Sequence, residues 1–271
     1  MKKPALLLIT LISICMVSSV HAQQADVTGS ADFTFLSNYI WRGFDVYHGH
    51  SAFQLGADID LFQSGFGTDV RWTRPGGGGL ENAEEIDFGL YYKNSCAQGE
   101  AYATDYQVGW VYYGYPDEPR SGSSTSTAAD MQEFNLTLAW PQAVPSGLVP
   151  RYTIVWMWPS EGKSLRNENG GWMHLLGVIY PWTVTNLAPE IPEQVFYLSA
   201  DLVYNDGAAP GAVDGSNIDH DWSHFLFGII TDFDLGSDLT CSPSVYYQAS
   251  MDDSVNGEDE FWMGLKLAYA F

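Results

Sequence analysis

The sequence predicts an all-β fold, a transmembrane antiparallel β-barrel of about 12 strands, and three observations carry that prediction. Near the end of the chain, Phe261, Met263, Leu265, Leu267, Tyr269 and Phe271 alternate with Trp262, Gly264, Lys266, Ala268 and Ala270. That period of two describes a strand with one apolar face and one small or polar face. The chain holds 10 Trp, 16 Tyr, 14 Phe and 27 Gly, yet beyond its first twenty-odd residues no segment approaches the ~20 apolar residues of a membrane helix. Many strands with an exposed apolar face fit that composition better than a helical core does. The third observation is an N-terminal leader.

The leader has a short positive start (Lys2, Lys3), an apolar stretch from Pro4 to Val20 and a small-residue cleavage site at Val20-His21-Ala22. This is the layout of a secretory signal peptide. The expected organisation is therefore a signal peptide at 1–22 and a single barrel domain at 23–271. An oxidising compartment permits a disulfide between Cys96 and Cys241. The two fall on distant expected strands, and they are read as independent cysteines. No Cys/His spacing suggests a structural metal.

Twelve segments read as strands in order: 27–40, 51–62, 66–73, 84–93, 103–113, 130–140, 150–158, 171–182, 194–204, 222–233, 238–249 and 261–271. Most match the ~9–11 residues that cross a bilayer when tilted. In the fourth, Ile86, Phe88, Leu90 and Tyr92 oppose Glu85, Asp87 and Gly89. In the fifth, Tyr106, Val108, Trp110 and Tyr112 oppose Asp105, Gln107 and Gly109. In the sixth, Phe134, Leu136, Leu138 and Trp140 oppose Glu133, Asn135 and Thr137. Pro181 and Pro243 fall inside expected strands, where a closed barrel has no edge to spare, so a bulge or a shifted boundary is expected at each.

Longer and shorter connections tend to alternate, as extracellular loops and periplasmic turns do, and an even strand count leaves both termini in the periplasm. The segments 141–149 and 183–193 are expected as longish turns. Tyr39, Trp41, Trp72, Tyr112, Trp140, Trp156, Trp158, Trp182, Tyr204 and Trp222 lie near strand ends. Two interfacial girdles account for them, since an amphipathic ring prefers the headgroup level.

The formal net charge is -22, from 33 acidic and 11 basic residues. Nucleic acid is excluded as a partner, because phosphates need Lys and Arg. With the apolar phase toward lipid, the lumen receives Asp58, Asp60, Asp69, Arg71, Glu85, Asp87, Asp105, Gln107, Glu133, Arg151, Asp201, His224, Asp232 and Lys266. Lys or Arg facing lipid at the midplane would cost about 2–4 kcal/mol each, which fixes the inward phase. Nine carboxylates against three basic groups favour cations in an open path. Whether the path is open or plugged is not readable.

The acidic segments 205–221 and 252–260 offer closely spaced oxygen ligands, but neither closes a calcium loop, and both read as solvated loops. Gly76–Gly79 lacks the Lys and Ser/Thr of a phosphate loop. A hydrolase would need a hydroxyl beside a histidine on one face. Ser223 and His224 alternate to opposite faces, and the His48, His50, Ser51 and Asp45 group is too loose. No enzyme activity, cofactor or metal is expected.

At Leu36-Ser37-Asn38-Tyr39-Ile40-Trp41-Arg42-Gly43 the chain resembles the TorF-type porins, a bacterial family with a Ser-Asn-Tyr-x-Trp-Arg-Gly block soon after the leader. Echoes follow at Glu85-Ile86-Asp87-Phe88-Gly89 and from Tyr106 to Pro116. The resemblance covers roughly residues 30–140 and the terminal strand. It implies an outer-membrane barrel proposed as a pore, with no catalytic residues to carry over. It also implies that Tyr269 and Phe271 belong to a signal for the barrel-assembly machinery. Read from the residues alone, Arg42 caps a strand end among interface aromatics, pairs with loop carboxylates at the mouth, or contacts lipopolysaccharide phosphate; Gly43 permits the turn. The expected function is passive passage of small polar solutes or cations across the outer membrane. A binding or structural barrel contacting divalent ions and lipopolysaccharide is the alternative, and an outer-membrane hydrolase comes third. The oligomeric state is not readable.

Overall fold

The computed structural model describes residues 27–80, 83–116, 130–160, 170–189, 191–209 and 218–271. The leader at 1–22 lies outside these residues, as do Asp214 and Asn217 of the acidic loop. Among the described residues no helix is long and apolar enough to cross a membrane. The strands are β1 (Thr28–Leu36), β2 (Ile40–Trp41), β3 (Phe44–Asp45), β4 (Ala52–Asp60), β5 (Phe66–Pro75), β6 (Glu85–Cys96), β7 (Thr104–Gly114), β8 (Met131–Ala139), β9 (Val149–Pro159), β10 (Gly171–Ala188), β11 (Ile191–Asp206), β12 (His220–Thr231), β13 (Phe233–Gly236), β14 (Leu239–Ser250) and β15 (Glu260–Ala270).

Twelve of them form one antiparallel ring. Neighbours in sequence pair from β4 through to β12, β1 joins β4 to β15, and β14 closes the circuit by pairing with both β15 and β12. Closure removes the free edge on which every open sheet in lipid would fail. The short β13 continues the wall beside β14. Each expected strand has a counterpart, and most boundaries differ by a few residues.

Alternation within each strand separates two faces. Phe33, Leu55, Val70, Phe88, Leu90, Phe134, Leu176, Phe227, Ile229, Val245, Met263 and Leu265 are exposed on the outer surface. A soluble protein rarely shows so continuous an apolar surface, which suits lipid. Outward aromatics near the loop-bearing end tie their polar tips to rim groups: Tyr112 Oη donates to Asp130 at 2.7 Å, Tyr247 Oη to Asp259 at 2.6 Å, and Trp110 Nε1 to Gln132 at 3.1 Å.

Both suspect prolines sit at gaps in the pairing. Pro243 pairs with Leu265 on one side, but β12 leaves off opposite Ser244 and β13 begins opposite Cys241. No ladder bond is asked of it there. Pro181 lies beyond Ile179, the last β10 residue paired with β9. The expected turn at 183–193 is instead a two-stranded extension with one irregularity between Thr185 and Ala188, and β10 and β11 pair as far as Ala188 and Ile191. The expected strand 27–40 ends earlier, at Leu36, because the chain turns into the lumen. Cys96 and Cys241 form no disulfide.

The last residue is clipped to the first strand: Gly29 N–H donates to Phe271 O, and Phe271 N–H to Gly29 O, both at 2.9 Å. Deleting Phe271 removes both bonds, whereas Phe271→Tyr keeps them. Heat-modifiable gel mobility should show a several-fold loss of folded barrel for the deletion and near-normal yield for the tyrosine variant. Equal yields would refute this role.

Candidate functional site, the occupied lumen

The first loop, 37–51, does not stand at the mouth. It folds back into the barrel. Arg42 and Gly43 both have positive φ, at 50° and 99°, which is the backbone of a two-residue hairpin turn. They join β2 to β3, with Trp41 paired to Phe44 and Ile40 to Asp45. Gly43 is also needed for space, since a Cβ there would lie 2.5 Å from His224 Nδ1 and 2.9 Å from Val255 Cγ1.

The apolar side of this loop makes a core with the loop-end half of the wall. Tyr39, Phe44, Val46 and Tyr47 are buried together with Tyr113, Tyr115, Met131, Val155, Met157 and Met173. Trp41 meets Tyr113 edge-on at 5.6 Å, and Tyr39 packs on Tyr47 at 4.8 Å. Tyr39 and Trp41 are therefore lumen residues and not girdle residues, a correction to the strand-end reading. A cavity of about 10 Å³ remains among Trp41, Val46, Glu85, Tyr113, Tyr115, Met131 and Met157, scarcely room for one water.

Polar contacts anchor the same loop. Arg42 Nη2 donates to both oxygens of Glu133, at 2.7 and 2.8 Å. Tyr113 Oη and Asn135 Nδ2 donate to the same carboxylate at 2.9 and 2.8 Å. Glu85 accepts from Tyr39 Oη at 3.0 Å and Tyr115 Oη at 2.5 Å. Gln248 Nε2 donates to Gly43 O at 2.8 Å, and Tyr47 Oη to Ala83 O at 2.9 Å. Burial, then the Glu85 carboxylate, pushes the Tyr39 phenol well above its ordinary value. Burial pulls the Arg42 guanidinium down, but Glu133 and its neighbours outweigh that and the net shift is upward. Arg42 thus pairs inside the lumen and not with mouth carboxylates or lipopolysaccharide.

Every strand of the ring carries a buried residue. Thr34, Ala52, Thr73, Glu85, Tyr113, Glu133, Val155, Met173, Asn205, His224, Gln248 and Trp262 come one from each, and none is more than 9 % exposed. Glu85, Asp87 and Glu133, expected to line the path, are inward but covered by the loop. Ser223 also differs from expectation. A bulge between Val203 and Tyr204 of β11 pairs Trp222 and His224 on successive positions, leaving Ser223 over. Ser223 is buried beside His224, its Oγ 2.9 Å from Nδ1.

The terminus-bearing half carries more exposed charges, Arg71 and Lys93 among them. Arg151 forks onto Asp201 at 3.0 and 2.5 Å, Tyr91 Oη donates to Asp58 at 3.0 Å, and Ser242 Oγ donates to Asp232 at 2.5 Å. Asp232 sits just past the end of β12. Asp105 and Lys266 are exposed, and Asp69 stands directly opposite Asp58. Two charged residues were missed: Asp32, 3.5 Å from Arg71, and Lys93, 3.1 Å from Asp60. Their inward phase was legible from the alternation in each strand.

Glycines make the cross-barrel pairs possible. Gly177 lies between Arg151 and Asp201 on the flanking strands, and Gly56 between Arg71 and Asp32. A Cβ at Gly177 would overlap Asp201 Oδ1 and come within 2.7 Å of Arg151 Nε. Among the described residues, no group of three or more His, Cys, Asp or Glu is placed to hold a metal.

Residues 21–147 match the model of a family described as "Bacterial protein of unknown function (Gcw_chp)". This is where the Asn-Tyr-x-Trp-Arg-Gly block lies. Among solved structures, KdgM porin is similar over 89 % of this chain and 99 % of that one, with a TM-score of 0.52 and 10 % identity. An outer-membrane channel from Pseudomonas putida F1 matches 94 % of this chain and 100 % of that one, at 8 % identity and a TM-score of 0.47. LpxR from Salmonella typhimurium covers 89 % and 100 %, at 10 % identity and 0.47. No curated protein sequence matches the chain. The fold is that of the outer-membrane porins.

Gly177→Val should separate Arg151 from Asp201 and overpack the wall, at about 1–3 kcal/mol. Urea unfolding from lipid vesicles measures it. A variant as stable as the parent would mean that the pair does not depend on the glycine.

Proposed function

We propose that the protein is a porin-like channel of the outer membrane, passing small polar solutes by diffusion with a preference for cations. The carrying observation is the two-faced closed wall, apolar outside and carboxylate-rich inside. Asp32, Asp58, Asp60, Asp69 and Asp105 face the terminus-bearing half of the lumen against Arg71, Lys93 and Lys266. Fixed negative charge in a narrow polar path concentrates cations and repels anions. The likeness to KdgM porin supports the fold such a channel uses, and the TorF-type resemblance points the same way. The leader and the outer apolar belt support an outer-membrane location, and the lumen needs no cofactor for this role. The seat around the first loop favours a second reading, a barrel that does not conduct.

Purified protein in planar bilayers under a KCl gradient should give a reversal potential of cation-preferring sign. The preference should fade at 1 M salt, where the Debye length is about 3 Å, and weaken when Asp58, Asp60 and Asp105 are changed to Asn. Anion preference, or no response to the three substitutions, would overturn the cation assignment.

Orientation has its own test. In a Cys96→Ser, Cys241→Ser background, an impermeant thiol reagent on intact cells should label Ser254→Cys and spare Gly236→Cys. The converse pattern would invert the topology.

A further inference from the structure

The first loop closes the lumen without belonging to the wall. Its two short strands pair only with each other, as a separate sheet. The hairpin from Ile40 to Asp45 meets the wall through side chains: Arg42 on Glu133, and Gln248 on the Gly43 carbonyl. Withdrawing it would break no strand pairing of the barrel.

The seat is also imperfectly satisfied. Among the described residues, Asn38 Oδ1, Arg42 Nε and Asp45 Oδ1 on the loop, and Asp87 Oδ1 and Gln248 Oε1 on the wall, are buried without a hydrogen-bond partner. A permanent core satisfies such groups. Others lie elsewhere in the barrel, at Asp60, Ser160 and Asp252, but these five flank the contact between loop and wall. The apolar part of the seat includes Met131, Met157 and Met173, whose unbranched, flexible side chains can repack when a neighbour is withdrawn.

Removing the hairpin would uncover Glu85, Asp87 and Glu133, three carboxylates on two strands of the same half of the lumen. Arg42 neutralises one of them when seated.

We propose that the hairpin of the first loop is a gate, latched by Arg42 on Glu133, and that the carboxylates it covers form the cation-selective constriction of the open state. This rests on the channel reading and deepens it. In the closed state the hairpin supplies its own cation to this acidic cluster; in the open state passing cations take that place.

The test compares four proteins in planar bilayers: wild type, Arg42→Ala, Arg42→Ala with Glu133→Gln, and a chain with residues 40–45 replaced by Gly-Gly. The replacement is geometrically easy, since Val46 N–H already bonds Tyr39 O at 3.1 Å. Heat-modifiable gel mobility checks that each is folded. Wild type should open only briefly, and those openings carry its cation-preferring current. The two latch variants should spend about tenfold or more time open, because an uncompensated buried charge replaces a paired one or the pair is lost altogether. The hairpin deletion should conduct continuously. Adding Glu85→Gln, Asp87→Asn and Glu133→Gln to that deletion should sharply lower its cation preference.

The failures separate. If wild type conducts continuously and all variants match it, the gate is overturned and the channel reading stands. If the folded deletion variant does not conduct, both fall. If the deletion conducts but neutralising the three carboxylates leaves its selectivity unchanged, the constriction assignment is overturned.

Discussion

Hydrocarbon offers a backbone N–H or C=O no partner, so a chain that crosses it as strands must pair its last strand with its first. Here the pairings of β1 with β15 and of β12 with β14 complete that circuit. The constraint reaches to single residues. Pro243, which cannot donate, sits in the two-residue gap where β12 has ended and β13 has not begun. Pro181 lies where β10 has outrun β9. The terminal Phe271 exchanges two backbone bonds with Gly29, so even the end of the chain is drawn into the ring.

A closed wall of this size encloses more volume than its own inward side chains fill, and the two halves of the lumen meet that problem differently. In the terminus-bearing half, charged side chains stay partly exposed and pair along the wall. Arg71 is 37 % exposed and Lys93 49 %, so their ion pairs add little stability in themselves. In the loop-bearing half, the fifteen-odd residues of the first loop supply the missing core. The two solutions share a device, glycine at close approach. Gly56 and Gly177 let an arginine and an aspartate meet over the strand between them, and Gly43 lets the hairpin tip lie against His224.

The wall was legible in the sequence because period-two alternation is a local property: each residue's face follows from its neighbours in the strand. The loop was not. Tyr39 and Trp41 next to a strand end look the same whether they sit at a lipid interface or turn inward, and only the far wall, Glu133 and Tyr113 among others, decides between them. One signal did exist. Arg42-Gly43 between Trp41 and Phe44 has the makings of a two-residue hairpin, and an inward Glu133 with no basic residue on the neighbouring wall positions needed a cation from elsewhere. The Ser223 bulge and the long β10–β11 extension escaped for a related reason, since an inserted residue or an overhang is set by the partner strand and not by the segment itself.

The character of the seat bears on why the loop is there. If the first loop served stability alone, an apolar plug would do as well, because a buried ion pair is often no better than well-packed hydrophobic residues of the same volume. This lumen instead keeps Glu85 and Glu133 buried and surrounds each with donors: Tyr39 and Tyr115 for the first, Arg42, Tyr113 and Asn135 for the second. Two of these five donors, Tyr39 and Arg42, belong to the loop, and the other three remain with the chain outside it. Without the loop each carboxylate would keep at least one protein donor and gain water, so the two acids are tolerable both covered and exposed. It is the division of donors between wall and loop, more than any single contact, that fits a surface used in both conditions.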